Sequence, residues 1–257
     1  MPPVNYAKVS NRGWEFQLDY HDNIGEVRYN VGVTGSYAKN RIDVWNEIPN
    51  IPAYQQLTGH PIGAGTYYVY EGIFATQAQI DANKIDYSGA GASTLRPGDM
   101  ILKDVNGDGK INGLDKVTVD KNGTPTFQGG VTLGVQYKNF DLSVLFQGAM
   151  GSQLAWGPDE SGTIGNYPQY TFDHRWTVDN PSTVDPRITD RGNQYYSSGN
   201  TYWLLNMNYI RHKTAEIGCT IPSSIGTVVE GSNLRFYASG LNLLTLAKQH
   251  IVDTESA

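Results

Sequence analysis

Apolar and polar residues alternate with period two along much of the chain. Over residues 14–20 the even positions Trp14, Phe16, Leu18 and Tyr20 are apolar or aromatic, and Glu15, Gln17 and Asp19 between them are polar. After a polar stretch at 21–25 the apolar positions become odd. Val27, Tyr29, Val31, Val33 and Tyr37 share one face, and Arg28, Asn30, Thr34 and Ser36 share the other. Successive strand side chains point to opposite faces, so two such runs about a short turn predict an antiparallel hairpin. A second hairpin is predicted from Val131, Leu133, Val135 and Tyr137, a turn at 138–139, and Phe140, Leu142, Val144 and Phe146; Leu145 breaks its alternation. A third pairs roughly 207–220 with 233–240, where Leu234, Phe236 and Ala238 oppose Arg235, Tyr237 and Ser239. In the first of these two segments Arg211, His212 and Lys213 interrupt the alternation and leave its register open. Helical periodicity is confined to a short helix expected over 75–83.

The pattern predicts an all-β fold. The links within hairpins are short, whereas those between hairpins, 39–130 and 149–206, are long and read as structureless. Long structureless links are unusual in a compact soluble domain. They are expected in an antiparallel transmembrane β-barrel, which has short turns on one rim and long extracellular loops on the other. Tyr20, Tyr37, Tyr137 and Phe140 fall at strand ends, where such a barrel carries aromatic girdles. The same alternation fits a soluble β-sandwich, so pattern alone leaves both open. In a barrel, Glu15, Gln17, Asp19, Arg28, Asn30 and Gln136 would line the lumen, and Trp14, Phe16, Val31, Val33, Leu133 and Val144 would face lipid.

Composition narrows the function classes. The 257 residues carry a net charge of -6, with 19 Lys and Arg against 25 Asp and Glu. This opposes nucleic-acid binding, which needs a basic face. One cysteine, Cys219, excludes an internal disulfide framework and a cysteine-based zinc site. No basic start with an apolar run marks a signal peptide, and no stretch approaches the ~18 apolar residues of a spanning helix.

The most specific chemical motif is residues 104–115, which follow the twelve-residue calcium-loop template. Asp104, Asn106 and Asp108 stand at positions one, three and five. Gly109 takes the sharp turn at six, the Lys110 carbonyl falls at seven, Asn112 at nine and Asp115 at twelve. The spacing wraps hard oxygen donors around one point, so a structural calcium ion is expected on the first long loop. The template wants a bidentate Glu at position twelve, and Asp115 is one methylene shorter. Without flanking long helices a sensor EF-hand is not expected, and the same residues also fit a metal-free Asx-rich turn.

Long loops rich in aromatic residues can hold sugars by stacking. Trp156, Tyr167, Tyr170, Trp176, Tyr195 and Tyr196 are the candidates; loop packing is the alternative for each. Catalysis finds no footing: there is no G-x-S-x-G elbow, and the five histidines lack metal spacing. His174 beside Arg175 reads as a loop salt-bridge element. No enzyme is predicted.

Several segments together resemble the SusC/RagA family of TonB-linked outer-membrane transporters. They are residues 9–15 (VSNRGWE), 59–63 (GHPIG), 70–74 (YEGIF) and 79–81 (QID), then Arg96-Pro97-Gly98-Asp99 running into 104–109. Residues 140–148 (FDLSVLFQG), Arg175-Trp176-Thr177 with Asn180-Pro181, and 234–245 (LRFYASGLNLLT) complete the set. The resemblance covers nearly the whole chain in collinear order. It implies a large barrel with an internal plug and a SusD-like surface lipoprotein as lid. The pair would import oligosaccharides or peptides at the cell outer membrane, driven through TonB. It further implies that residues 1–257 are the C-terminal part of such a barrel, with TonB contacts and plug outside this sequence. Six strong strands are too few to close the barrel, and open edges are not tolerated in lipid. A secreted, calcium-stabilised, all-β glycan-binding module is the alternative.

Overall fold

A computed structural model of the protein describes residues 6–120, 123–156, 169–182, 184–188, 199–222, 234–249 and 251–255. It divides into two units.

The first unit, Asn11–Lys39, Thr124–Ser152 and Asn206–Ala257, is built on one antiparallel sheet. Its six strands are β1 (Lys8–Ile24), β2 (Val27–Val44), β3 (Phe127–Tyr137), β4 (Phe140–Met150), β5 (Tyr209–Ile221) and β6 (Leu234–Ala247). They lie in the order β1-β2-β3-β4-β5-β6, every strand beside its sequence neighbour. All three predicted hairpins are present. The first runs longer than its alternation shows. Residues 21–24 continue β1, and the reversal falls at Gly25–Glu26, where Gly25 takes a left-handed φ of 62°.

Register explains the two faces. Val31 pairs with Leu133, which pairs with Val144; Val33 pairs with Val131, and that with Phe146. On the opposite face Arg28 meets Gln136 and Gln136 meets Asp141. Paired residues share a face, so the hydrophobic period is carried intact from strand to strand. The exception in β4, Leu145, sits on the polar face opposite Thr132 and Thr214. The register left open at 211–213 resolves as a β-bulge: pairing shifts between His212 and Thr214 against both β4 and β6. Against β4 Lys213 is the extra residue; against β6 the extra residue lies on β6 between Leu241 and Leu244, where Asn242 takes a left-handed φ of 52°. Above the bulge Ile210 and His212 lie on the apolar face; below it Ala215, Ile217 and Cys219 do.

Close approach between strands needs glycine at a few positions. A Cβ on Gly13 would stand 2.2 Å from the Tyr37 carbonyl oxygen, and one on Gly35 2.5 Å from the Phe16 ring. Trp14 stacks on Tyr37 at 6.1 Å and meets Phe127 edge-on at 6.3 Å. The aromatic end of the apolar face is therefore assembled from three strands.

The second unit, Met1–Ser10, Asn40–Gly123 and Gln153–Leu205, gathers the two long links. They are not structureless, as the sequence suggests, but share one core. Gly65–Tyr68 pairs with Lys116–Val119, and Tyr70–Ile73 with Met100–Leu102. Gln153–Ala155 pairs with Leu204–Asn206. The expected short helix is α1 (Gln77–Ala82), started by a capping box in which the Thr76 and Gln79 side chains and backbones exchange hydrogen bonds. A second helix, α2 (Gln169–His174), forms where the sequence shows no helical period. Met100, Leu102 and Ile111 are fully enclosed with Tyr68, Phe74, Tyr87 and Trp203. Burying each such aliphatic side chain is worth roughly 1.5–3 kcal/mol of gross apolar stabilisation. Trp203 comes from the second link and the rest from the first, so one core joins both. Short strands without long alternation hid this unit: its order comes from contacts far apart in sequence.

Candidate functional site

The loop at 104–115 is built as a nest of side-chain oxygens on backbone N–H groups. The Asp104 carboxylate accepts from Gly107 (2.7 Å), Asp108 (3.2 Å) and Gly109 (2.8 Å). Asn106 Oδ1 accepts from the Asp108 N–H, Asp108 Oδ1 from Lys110, and Asn112 Oδ1 from Leu114. Gly107 and Gly109 take left-handed φ values of 75° and 80°, as the tight turn requires. Asp115 is fully buried and accepts from the Val105 and Asn112 N–H groups, joining the start of the loop to its end. The oxygen-only donor set suits a hard cation. Among the described residues, however, no three His, Cys, Asp or Glu side chains stand together as a metal-holding group. The short Asp115 side chain is committed to the backbone at both ends of the loop.

No local motif marks the neighbour packed against this loop. The Asp86 N–H donates to the Gly109 carbonyl, and the Ile111 N–H to the Asp86 carbonyl, at 2.9 and 2.8 Å. Asp86 itself accepts from the Ser88 N–H and hydroxyl, which hold its carboxyl below the usual range. A Cβ on Gly89 would lie 2.7 Å from the Ile111 carbonyl oxygen. The turn at 86–90 is thus laid flat along the exit of the loop.

The aromatic candidates separate. Trp156 packs against the core, 5.5 Å from Trp203, and its backbone N–H donates to the Trp203 carbonyl. That is a core position, not an open stacking platform, because the second link needs an anchor there. Tyr170 is exposed and stacks on His174 at 4.1 Å. Tyr167, Tyr195 and Tyr196 lie outside the described residues. Trp176 is half-buried beneath Gly98, whose added Cβ would come within 2.6 Å of the indole. The expected salt-bridge role of His174 and Arg175 gives way to packing on α2: His174 on Tyr170, and the Arg175 guanidinium 3.8 Å over the Phe172 ring.

Beside Trp176 the second unit has a cleft of about 450 Å³. Arg96, Pro97, Arg175, Thr177, Val178, Arg187 and Ile188 complete its lining. Three tyrosines of this unit sit in low-dielectric surroundings. Burial raises Tyr87, to about 12, and Tyr70 and Tyr202 further, with Asp185 adding to both of these. The Tyr202 hydroxyl donates to Asp185 at 2.9 Å.

On the sheet, polar groups collect on one face. Arg235 of β6 reaches across β5 to Asp141 of β4 at 2.6 Å and also meets Glu216 at 2.7 Å. Gly218 makes room for that reach: a Cβ there would stand 2.5 Å from Nη2 of Arg235. Nearer the other end, the buried Arg211 pairs with Asp253 at 2.7 Å and Glu255 at 3.0 Å, and Lys213 with Glu255 at 2.7 Å. Both networks span residues far apart in sequence and left no local motif. On the opposite face Trp14, Leu133, Phe140, Leu142, Ile217, Leu234 and Phe236 are exposed side by side across the strands. Such a continuous apolar face exceeds what a soluble surface ordinarily carries. The described strands leave β1 and β6 as open edges.

The comparisons with known proteins agree with this architecture. No family model matches the chain. It is 25% identical over 266 residues to the TonB-dependent receptor P3 of Formosa agariphila, covering 98% of this chain and 26% of the receptor. It is 25% identical over 274 residues to the TonB-dependent receptor P26 of the same organism, with the same coverage. Among solved structures it superposes on a chain of the RagAB peptide transporter with a TM-score of 0.67 at 18% identity, covering 98% of this chain and 27% of that one. The 'closed-closed' state of the same importer gives 0.64 at 17%. The chain therefore spans about a quarter of the length of the relatives it matches. The chain is thus similar to TonB-dependent receptors, which are proteins of the cell outer membrane, and its open antiparallel sheet has the fold of part of the barrel seen in the RagAB transporter.

Proposed function

We propose that this chain forms part of an outer-membrane nutrient importer that works through TonB and with a SusD-type surface lipoprotein. The cargo class is oligosaccharide or peptide, and the chain itself breaks no bond in it. The observation that carries the reading is the two-faced sheet. One face carries apolar side chains from all six strands, Trp14 and Phe16 of β1 packing beside Tyr37 and Gly35, and the other bears Arg28, Asn30, Gln136, Asp141, Glu216 and Arg235. A soluble sandwich would cover such an apolar face with a second sheet. In a bilayer, lipid covers it and the polar face turns to the lumen. The resemblance to TonB-dependent receptors points the same way. RagAB, whose fold this chain shares, is a peptide transporter, which keeps peptides beside glycans as cargo.

Within this reading the loop at 104–115 is a calcium clip. Asp104, Asn106, Asp108, the Lys110 carbonyl and Asn112 would supply its oxygens, and Asp115 would hold the loop ends. The ion would act structurally, stiffening a long loop without touching cargo. Tyr170 is the exposed aromatic left to meet cargo among the described candidates of the long loops.

Fractionation of source cells with an antibody to this chain tests the reading. The expected result is a band in the outer-membrane fraction, several times larger than 28.3 kDa, that is extracted only by detergent. A band near that mass in a soluble fraction would return the chain to the secreted glycan-binding alternative.

A further inference from the structure

The cleft beside Trp176 combines three features. First, it is positively charged. Arg96, Arg175 and Arg187 line it together, and the only carboxylate paired with any of them among the described residues is Asp99, 3.9 Å from Arg187. Arg175 is spent on an aromatic face and the Phe172 carbonyl, and Arg96 is exposed with no ion pair among the described residues. Second, its remaining walls are largely apolar: Pro97, Val178, Ile188 and the indole of Trp176. Third, the indole N–H of Trp176 is buried without a hydrogen-bond acceptor among the described residues. A buried donor left unmade is costly, so an acceptor atom brought into the cleft would be favoured there.

The cleft is held open from below. Gly98, with a left-handed φ of 89°, lies flat against both Trp176 and Arg187, and a Cβ there would stand 2.6 Å from the indole and 2.9 Å from the Arg187 Cβ. The Arg187 N–H donates to the Gly98 carbonyl at 2.9 Å, which ties the far wall to the near one. The arginines therefore sit on a braced frame. Its volume, about 450 Å³, is in the range of small-ligand sites.

We propose that this cleft is a binding site for the C-terminal end of a peptide, its carboxylate facing the arginines and an apolar last side chain lying against Pro97, Val178 and Ile188. Guanidinium groups match a carboxylate in geometry as well as charge. The apolar walls favour a peptide terminus over an acidic sugar, whose ring presents hydroxyls all round. The assignment deepens the uptake reading by naming a cargo class, and rests on it only for how the peptide arrives.

The test is calorimetric binding to the purified, detergent-solubilised receptor that carries this chain. The probes are acetyl-Ala-Ala-Leu as free acid, the same peptide as its C-terminal amide, and trigalacturonate. The acid should bind about tenfold more tightly than the amide, because only the acid offers a charge-assisted contact. Arg96→Gln should remove most of that preference by weakening the acid far more than the amide, with the thermal unfolding midpoint unchanged. Arg187→Lys, which keeps a charge beside Asp99, should weaken the acid less than Arg96→Gln does. Equal affinity for acid and amide, a preference that survives Arg96→Gln, tighter binding of trigalacturonate, or no binding of any probe would each overturn the assignment. Binding is read without transport, so a failed uptake reading shows in the fractionation and a failed cleft assignment shows here.

Discussion

The apolar face can be tested at one residue against its neighbour on the other face. Val33 lies midway between Tyr29 and Tyr37 on β2 and pairs with Val131, which pairs with Phe146. Four residues separate it from each tyrosine, about 13 Å along the strand at roughly 3.3 Å per residue. With a barrel strand tilted by roughly 40°, that places Val33 about 10 Å in depth from each aromatic end, near the middle of a band roughly 25 Å tall. An arginine at this depth costs about 2–4 kcal/mol. Thr34, the next residue, points to the polar face and is exposed there near Gly130. The same substitution at Thr34 should cost less than ~1 kcal/mol, as surface changes usually do. The assay is thermal unfolding of the receptor in lipid vesicles, followed by intrinsic fluorescence, together with the amount of protein reaching the outer membrane. Val33→Arg should lower both, and Thr34→Arg neither. Equal tolerance at the two positions, or a larger loss at Thr34, would refute the assignment of the faces.

Gly89→Ala should destabilise the second unit by about 1–3 kcal/mol, since the added Cβ meets backbone rather than a movable side-chain end; a proteolysis assay of the 86–115 region would register it, and unchanged protection would count against the packing of that turn. Tyr70, Tyr87 and Tyr202 are held protonated by burial, so their contribution to stability is complete below the ordinary tyrosine range near 10 and is lost as pH rises toward 12 and beyond. Absorbance of phenolate during alkaline titration should show a late group of tyrosines appearing together with unfolding; smooth titration of all of them near pH 10 would contradict their burial. If the 104–115 loop takes calcium, saturating the ion at a hundred times its dissociation constant should add about 2.7 kcal/mol to stability. The gain should vanish with chelator or in Asp104→Ala, and a calcium-independent unfolding midpoint in the unmodified protein would remove the ion from the account.

The long strands were legible in the sequence because a two-residue period is a local signal. Alternation alone puts Trp14, Phe16, Val31, Leu133, Val144 and Phe236 on one face; the register keeps the last four together, and the packing of Trp14 on Tyr37 and of Phe16 on Gly35 adds the first two. The calcium-template turn was legible for the same reason: Asp104, Asn106 and Asp108 bond to backbone groups a few residues away. What stayed hidden depends on contacts across tens of residues. Trp156 looks like a loop aromatic until Trp203 arrives beside it from residues later in the chain. Arg235 has no meaning in its own strand and acquires one by crossing β5 at Gly218 to reach Asp141. Arg96, Arg175 and Arg187 form a cleft only because Gly98 lets Trp176 and Arg187 close onto the turn before Asp99. Alternation and Asx geometry act over a few residues, so the strands, their faces and the turn at 104–115 can be read along the chain itself. The shared core of the two long links, the bulge at Lys213 and the arginine cleft each need segments brought together by folding, which no local pattern encodes.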